Sequence, residues 1–269
     1  TQDTQETVVI DTDDIGGIVT STHGPEAGVW VVAETTDLPT KFARIVVTDD
    51  QGHYLLPDMP KANYNVWVRG YGLVDSVHVQ GQPGMSLDLT AVIAPTPQAA
   101  AQYYPPNYWL SLIQLPEGPN RSRAAGAARC GLACHQMGGK ATREISSETV
   151  AALGPFESTA HAWLQRVRSG PSGAFMSRFY GSMGPTLYPA WTDAILAGAI
   201  PAQPPRPLGV ERNLVVSLWD WGAVNGFVHD QAPADRRNPV VKPGTLIYGP
   251  SQSHDMLVWF DPLNNREGA

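Results

Sequence analysis

The pattern of apolar residues changes period twice along this chain, and that change limits the folds open to it. From residue 15 to about 95, short segments rich in β-branched and aromatic residues alternate with turns. "GGIVTS" is followed by the turn "GPEAG" and then by "VWVVAETT". "KFARIVVTDDQGHYLLPDMP" reads as a hairpin turned at Asp-Asp-Gln-Gly, and "YNVWVRGYG" puts Tyr64, Val66 and Val68 on one face. "SVHVQG" and "MSLDLTAVIAP" complete the set. No helical period interrupts these strands, so they predict an antiparallel β-sandwich over residues 15–95. The 26 glycines and 24 prolines agree with a turn-rich architecture. Residues 1–14 are polar and acidic and read as a loose tail. The chain begins at Thr1, as removal of a signal peptide would leave it, or as an arbitrary choice of start would.

Residues 96–120 read as a linker, because their prolines break both helix and sheet. Tyr103, Tyr104, Tyr108 and Trp109 are expected to pin it against a neighbouring domain. Over residues 121–200 the period turns helical. In "FESTAHAWLQRVRSG", Ala160, Trp163, Leu164 and Val167 fall at helical spacing, with Ser158 as N-cap and Gly170 beyond the end. "GAFMSRFYGSMG" predicts another short helix, and "YPAWTDAILAGAI" a further one with Pro189 near its start. Residues 201–209 form a stiff Pro-rich linker. Residues 210–269 return to strands, in "RNLVVSLWDW" and in "TLIYGPSQSHDMLVWFDPLNN", where two strands flank a Ser-Gln-Ser-His-Asp turn. The 269 residues thus predict a mixed, multi-domain chain.

The net charge is −7, and no stripe of Lys and Arg appears, so a nucleic-acid partner is not expected. No run of about 18 apolar residues exists, so no transmembrane segment is expected. No Ser-His-Asp signature, P-loop or dinucleotide fingerprint is present.

The two cysteines lie four residues apart in Cys130-Gly-Leu-Ala-Cys134-His135. Haem c attachment uses C-x-x-C-H, in which two thiols bond the porphyrin and the next His ligates iron. Here the spacer has one extra residue. On a helix, residues i and i+4 are separated by about 40° around the axis, so both sulfurs keep one face. Gly131 can absorb the extra residue, and His135 still follows the second sulfur. The motif therefore points to one covalent haem c. Three other readings remain: a Cys130–Cys134 disulfide, poorly aimed on a helix; a zinc clip that lacks its second ligand arm; and two reduced cysteines without a role.

A haem ligated by His135 needs a sixth ligand or leaves that position open. Met137 is too near His135 to reach the opposite face. Met176 is favoured, with Met183 and His161 as alternatives, although a Met among aromatics or a single helical His is also ordinary core. An open position would favour ligand binding or peroxide chemistry. Arg143, with Lys140, could pair with haem propionates or form a solvated basic face. His229-Asp230 and His254-Asp255 are read as turn residues rather than as metal or acid–base pairs.

Three stretches resemble known families. Gly17, Gly28, Thr48, Asp49, Gly52, Tyr54, Leu56, Pro60, Tyr64, Val66, Val68, Gly70 and Tyr71 resemble the carboxypeptidase regulatory-like, transthyretin-like module over about 80 residues, a fold likeness that implies no chemistry. The C-terminal "D-x-L-x-W/V-x-D-P" pattern resembles a blade of a streptogramin-lyase-like β-propeller. A closed propeller needs roughly four or more blades, so the remaining blades are expected on another chain or are missing. Gln136, Gly138, Lys140, Ala141, Thr142, Arg143, Glu144, Trp163, Trp191, Thr192, Asp193, Arg206, Pro207, Glu211, Arg212, Asn213, Trp219, Asp220 and Trp221 resemble bacterial proteins that join all three parts. That resemblance implies a periplasmic or secreted redox protein.

The resulting expectation is an N-terminal β-sandwich, a small helical cytochrome c-like domain at 121–200, and propeller-like strands at 210–269. The expected function is electron transfer with a redox partner protein or a small-molecule electron donor or acceptor. The alternatives are a haem-dependent oxidoreductase of unknown substrate and a structural β-module protein with a Cys/His metal clip.

Overall fold

A computed structural model describes residues 8–122, 124–125, 138–170, 172–220, 246–251 and 255–269, without the side chains of 182 and 183. The chain divides into two compact units, residues 1–93 with 206–269, and residues 94–205. The fold is mixed α and β, with several antiparallel sheets and no closed barrel among the described residues. No described helix is long and apolar enough to cross a membrane.

In the first unit, β1 (Ile15–Ser21) is a hub. It pairs antiparallel with β5 (His53–Leu56) and β2 (Gly24–Pro25), and parallel with β9 (Met85–Ser86) and β10 (Leu89–Thr90). A second sheet is fully antiparallel: β12 (Val216–Trp219), β4 (Phe42–Val47), β3 (Trp30–Thr35), β6 (Tyr64–Arg69) and β8 (Val79–Gly81), in that order. β7 (Leu73–Val74) pairs with β11 (Val92–Ile93). Alternate residues of both sheets enter one core: Ile15 and Val19, Val31 and Ala33, Phe42 and Val46, Tyr54 and Leu56, and Tyr64, Val66 and Val68. Period-two patterning produces this arrangement, because successive side chains of a strand point to opposite faces.

The motif residues of this unit do structural work. Thr48 is fully buried; its hydroxyl donates to Glu26 O at 2.6 Å and accepts from Val29 N at 3.1 Å. Asp49 Oδ1 accepts from the backbone of Gln51 and His53, closing the hairpin turn. Gly52 sits there at φ +80°, and a Cβ would stand 2.5 Å from Val19 O. Left-handed backbone costs about 1–2 kcal/mol for an L-residue before any clash. Gly52→Ala is therefore expected to lower stability by about 2 kcal/mol or more, and the calorimetric Tm by roughly 4–8 °C. An unchanged Tm would contradict this account of the turn.

The C-terminal residues do not stand apart as a third domain. β12 pairs with β4 over Val216–Trp219 and Phe42–Ile45. Trp219 packs on Phe42 at 5.7 Å and on Phe260 at 4.8 Å, and its Nε1 donates to Asn265 Oδ1 at 2.8 Å. β13 (Ile247–Ser251), β14 (Met256–Asp261) and β15 (Arg266–Gly268) form one antiparallel three-stranded sheet. The Pro-rich 201–209 stretch is likewise no simple spacer. Arg206 reaches into the first unit, donating to Tyr71 O at 3.0 Å and pairing with buried Glu26 at 2.5 Å. At the other end the polar tail is not wholly loose: Asp14 is buried and accepts from Asp58 N at 3.1 Å.

The second unit also departs from the expected boundaries. Residues 96–120 carry α1 (Pro97–Ala101) and α2 (Pro106–Trp109), and Trp109 is buried. Prolines begin these helices rather than break them, since the first turn leaves N–H groups unpaired in any case. Thr96 caps α1 through Ala99 N at 3.1 Å. Then come α3 (Lys140–Arg143), α4 (Ser147–Leu153) and α5 (Thr159–Arg168). Ser158 caps α5, accepting from His161 N at 3.1 Å, but Ala162 is buried with Trp163 and Val167, while Ala160 is exposed.

The two short helices expected after residue 172 are one, α6 (Gly173–Leu196), with Pro185 and Pro189 inside it. Each proline withholds one donor, from the carbonyls of Gly181 and Pro185. Both of those residues are exposed, so water can serve them. The opposite face buries Tyr180, Leu187, Tyr188 and Trp191, and that packing outweighs the lost bonds.

Candidate functional site

Cys130, Cys134 and His135 lie outside the described residues, as do Met137, His229, Asp230 and His254, and so does the Met183 side chain. What is described begins again at Gly138, three residues past His135. Its backbone crosses Pro106 so closely that a Cβ would fall 1.6 Å from Pro106 O. Gly138 O accepts from Arg143 Nη1 at 2.9 Å. The exit from the Cys/His motif is therefore anchored at a defined point of the second unit.

Arg143 is not on a solvated face. It is 3% exposed, and its guanidinium lies 3.8 Å from the centre of the Trp109 ring. Nη2 stands 3.2 Å from Glu144 Oε1 without hydrogen-bond geometry. Arg143 Nε and Trp109 Nε1 have no acceptor among the described residues. Burial pushes the Arg143 pKa down, opposed by the Glu144 charge. Two orphaned buried donors on one stacked cation–indole pair are costly unless an acceptor meets them. Lys140, on the same short helix, is exposed.

The pair is tied into the aromatic core. Trp191 Nε1 donates to Trp109 O at 2.9 Å. Trp163 Nε1 donates to Thr192 Oγ1, which donates to Arg143 O, each at 2.9 Å. Arg166 holds the carbonyls of Thr142 and Glu144 at 2.6 and 2.7 Å. Thr192 and Asp193, singled out in the sequence, are thus packing anchors: Thr159 Oγ1 donates to Asp193 Oδ1 at 2.6 Å, joining α5 to α6.

Of the candidate distal ligands, His161 is engaged on its own helix. Its Nδ1 accepts from Glu157 N at 3.3 Å, and its Nε2 lies 3.0 Å from the Gln165 amide. Met176 is half-buried in the first turns of α6. Beside it Phe175 is 63% exposed and Phe179 44% exposed, their rings 4.7 Å apart.

The first unit holds a cleft of about 610 Å³ lined in part by Val46, His53, Leu55, Arg212 and Leu214. Its charged side chains pair with one another: His53 with Asp49 at 3.1 Å, and Arg212 with Asp50. Asp255 sits in a turn at φ +53°, as the turn reading of its neighbourhood expects.

Trp109 is the site residue the sequence reading did not assign to Arg143. Its signal was the aromatic cluster in the proline-rich stretch, read only as a seal between domains. The chain matches no family model and no curated protein.

Proposed function

We propose that this chain is an exported c-type cytochrome that carries one covalent haem and transfers electrons. The observation that carries the reading is the pair of cysteines at i and i+4 with a histidine directly after the second. The residues past that motif fit the group. Arg143 Nε and Trp109 Nε1 are buried donors that lack acceptors among the described residues, and a haem propionate is an acceptor of the right charge. Phe175, 63% exposed beside Met176, offers apolar surface that a macrocycle would cover.

When bound, the haem iron takes up and releases single electrons. Cys130 and Cys134 would hold the porphyrin through thioethers, and His135 would be the proximal ligand. Met176, rather than His161, would be the second side chain to hold the iron, because both His161 nitrogens already have partners. Arg143, buried beside Trp109, would offset negative charge near such a group in a low-dielectric setting. The first unit is read as a β-sandwich of the carboxypeptidase regulatory-like type, supported by two sheets that share one core. The C-terminal three-stranded sheet is read as propeller-like. Both β parts serve to dock a redox partner rather than to perform chemistry.

The test is the intact mass of protein made in a host competent for cytochrome maturation. The expected result is polypeptide plus one haem, with a pyridine haemochrome that survives acid extraction. Replacing Cys130 and Cys134 together by Ser should abolish both. A colourless wild-type protein would overturn the reading.

A further inference from the structure

We propose that the cleft of the first unit docks an extended, lysine-flanked segment of a partner protein, which adds as a strand to the free edge of β5. The site lies wholly in the β unit and stands whether or not haem is bound. Strand pairing fixes which way each backbone group turns. Gly16 O and Thr20 O of β1 accept from Leu87 N and Ala91 N at 2.7 and 2.8 Å, so the even residues of β1 turn away from β5. Its odd residues turn toward β5, with Gly17 opposite Tyr54 and Ile15 opposite Leu56. In an antiparallel ladder such opposed residues bond each other, and the residues between them turn outward. His53 and Leu55 are therefore the outward residues of β5. Asp49 serves the first of them: its Oδ1 accepts from His53 N at 2.8 Å, and its N donates to His53 O at 3.0 Å. Leu55 N–H and C=O have no partner among the described residues, and no described strand lies on that side of β5.

This edge opens on the cleft of about 610 Å³, which Leu55 lines together with Val47 and Leu214. Val47 is a second unpaired edge position. Asp220 N donates to Lys41 O and Thr48 N to Val29 O, so alternation along β4 turns the Val47 groups to the β12 side. β12 pairs only as far as Ile45, and no described residue meets Val47 there. Leu214 adds an apolar side chain that is 56% exposed. An extended peptide supplies what this lining lacks: backbone N–H and C=O, with apolar side chains at alternate positions.

Charge selects the flanks of that peptide. The side chains of Asp49 and Asp50 are 48% and 77% exposed, whereas those of His53 and Arg212 lie deeper, at 12% and 15%. An acidic rim over buried cations favours lysine on the incoming segment. The new strand joins β5 rather than β4, because β12 already covers β4 from Phe42 to Ile45. β5 ends at Leu56 and Pro57 follows, so one residue offers the backbone pair and apolar contact supplies the rest. Binding of this kind is weak and reversible.

The experiment titrates the isotope-labelled full chain with the peptide acetyl-Lys-Val-Thr-Val-Thr-Lys-amide and follows backbone amides by nuclear magnetic resonance. The expected result is a saturable shift at Leu55, with slower hydrogen exchange of its amide. The same peptide with its valine and threonine amides N-methylated should not bind; the protein is unchanged in that comparison, so its folding is not in question. Asp50→Asn, at an exposed position, should weaken binding roughly two- to fivefold. No saturable change, equal binding of the methylated peptide, or shifts that map away from Leu55 would overturn the proposal. So would a chain that self-associates through this edge and is not displaced by the peptide, which would make the occupant a second copy. None of these outcomes bears on the haem reading.

Discussion

Gly138→Ala is expected to destabilise the helical unit by more than about 3 kcal/mol, an unusually large effect for one added methyl. The new Cβ would meet the Pro106 carbonyl oxygen at 1.6 Å, and both partners at that crossing are backbone. No rotamer change can relieve the contact, so the two segments must separate. Their separation withdraws the carbonyl that Arg143 Nη1 uses and disturbs the Arg143–Trp109 stack beside it. For a unit of this size the Tm should fall by roughly 10 °C or more. Calorimetry with far-ultraviolet circular dichroism checks it: the helical signal should melt early and the β signal late. A variant that melts like wild type would mean that the crossing is looser than described. Lower yield of attached haem should accompany the loss, because the motif's exit is no longer anchored.

A second large effect is expected at the return of the chain to the β unit. Arg206→Met strands the carboxylate of Glu26, whose side chain is 6% exposed and whose other oxygen takes, among the described residues, only the Ser21 hydroxyl, at 2.5 Å. It also removes the donors to Tyr71 O and Ala27 O. Breaking one partner of a buried pair leaves an uncompensated charge, a cost of about 3 kcal/mol or more. The corresponding fall in Tm is roughly 6–12 °C. Adding Glu26→Gln to Arg206→Met should recover part of the loss, since no buried charge then remains. Equal Tm values for the single and double variants would show that packing, not charge, dominates at this site.

The β part was legible because its information is local and repeats every two residues. Tyr64, Val66 and Val68 face the core as their spacing requires, and the Thr48–Tyr54 hairpin turns where Asp49 and Gly52 permit it. Ser158 as a helix cap was legible for the same reason. The boundaries were not. Prolines at 97, 106, 185 and 189 look alike in sequence, yet the first two open helices and the last two lie inside one. The difference lies in whether a helix starts there or whether neighbouring aromatics bury the opposite face, and neither is local. Arg143 was legible as a cation near the motif, but its burial on Trp109 was not, because that indole arrives from 34 residues away through a stretch that composition marks as a spacer.

The sequence alone determined the alternation that builds two sheets on one core, and the order of two sulfurs and an imidazole along the chain. Both follow from covalent neighbours and the fixed geometry of strand and helix. Only the tertiary structure decided that residues 206–220 and 246–269 return to the first unit, that two prolines ride within one helix, and that a guanidinium is sealed against an indole. Those outcomes depend on which distant surfaces remove the most apolar area from water and still satisfy their polar groups, a balance set by the whole packed chain.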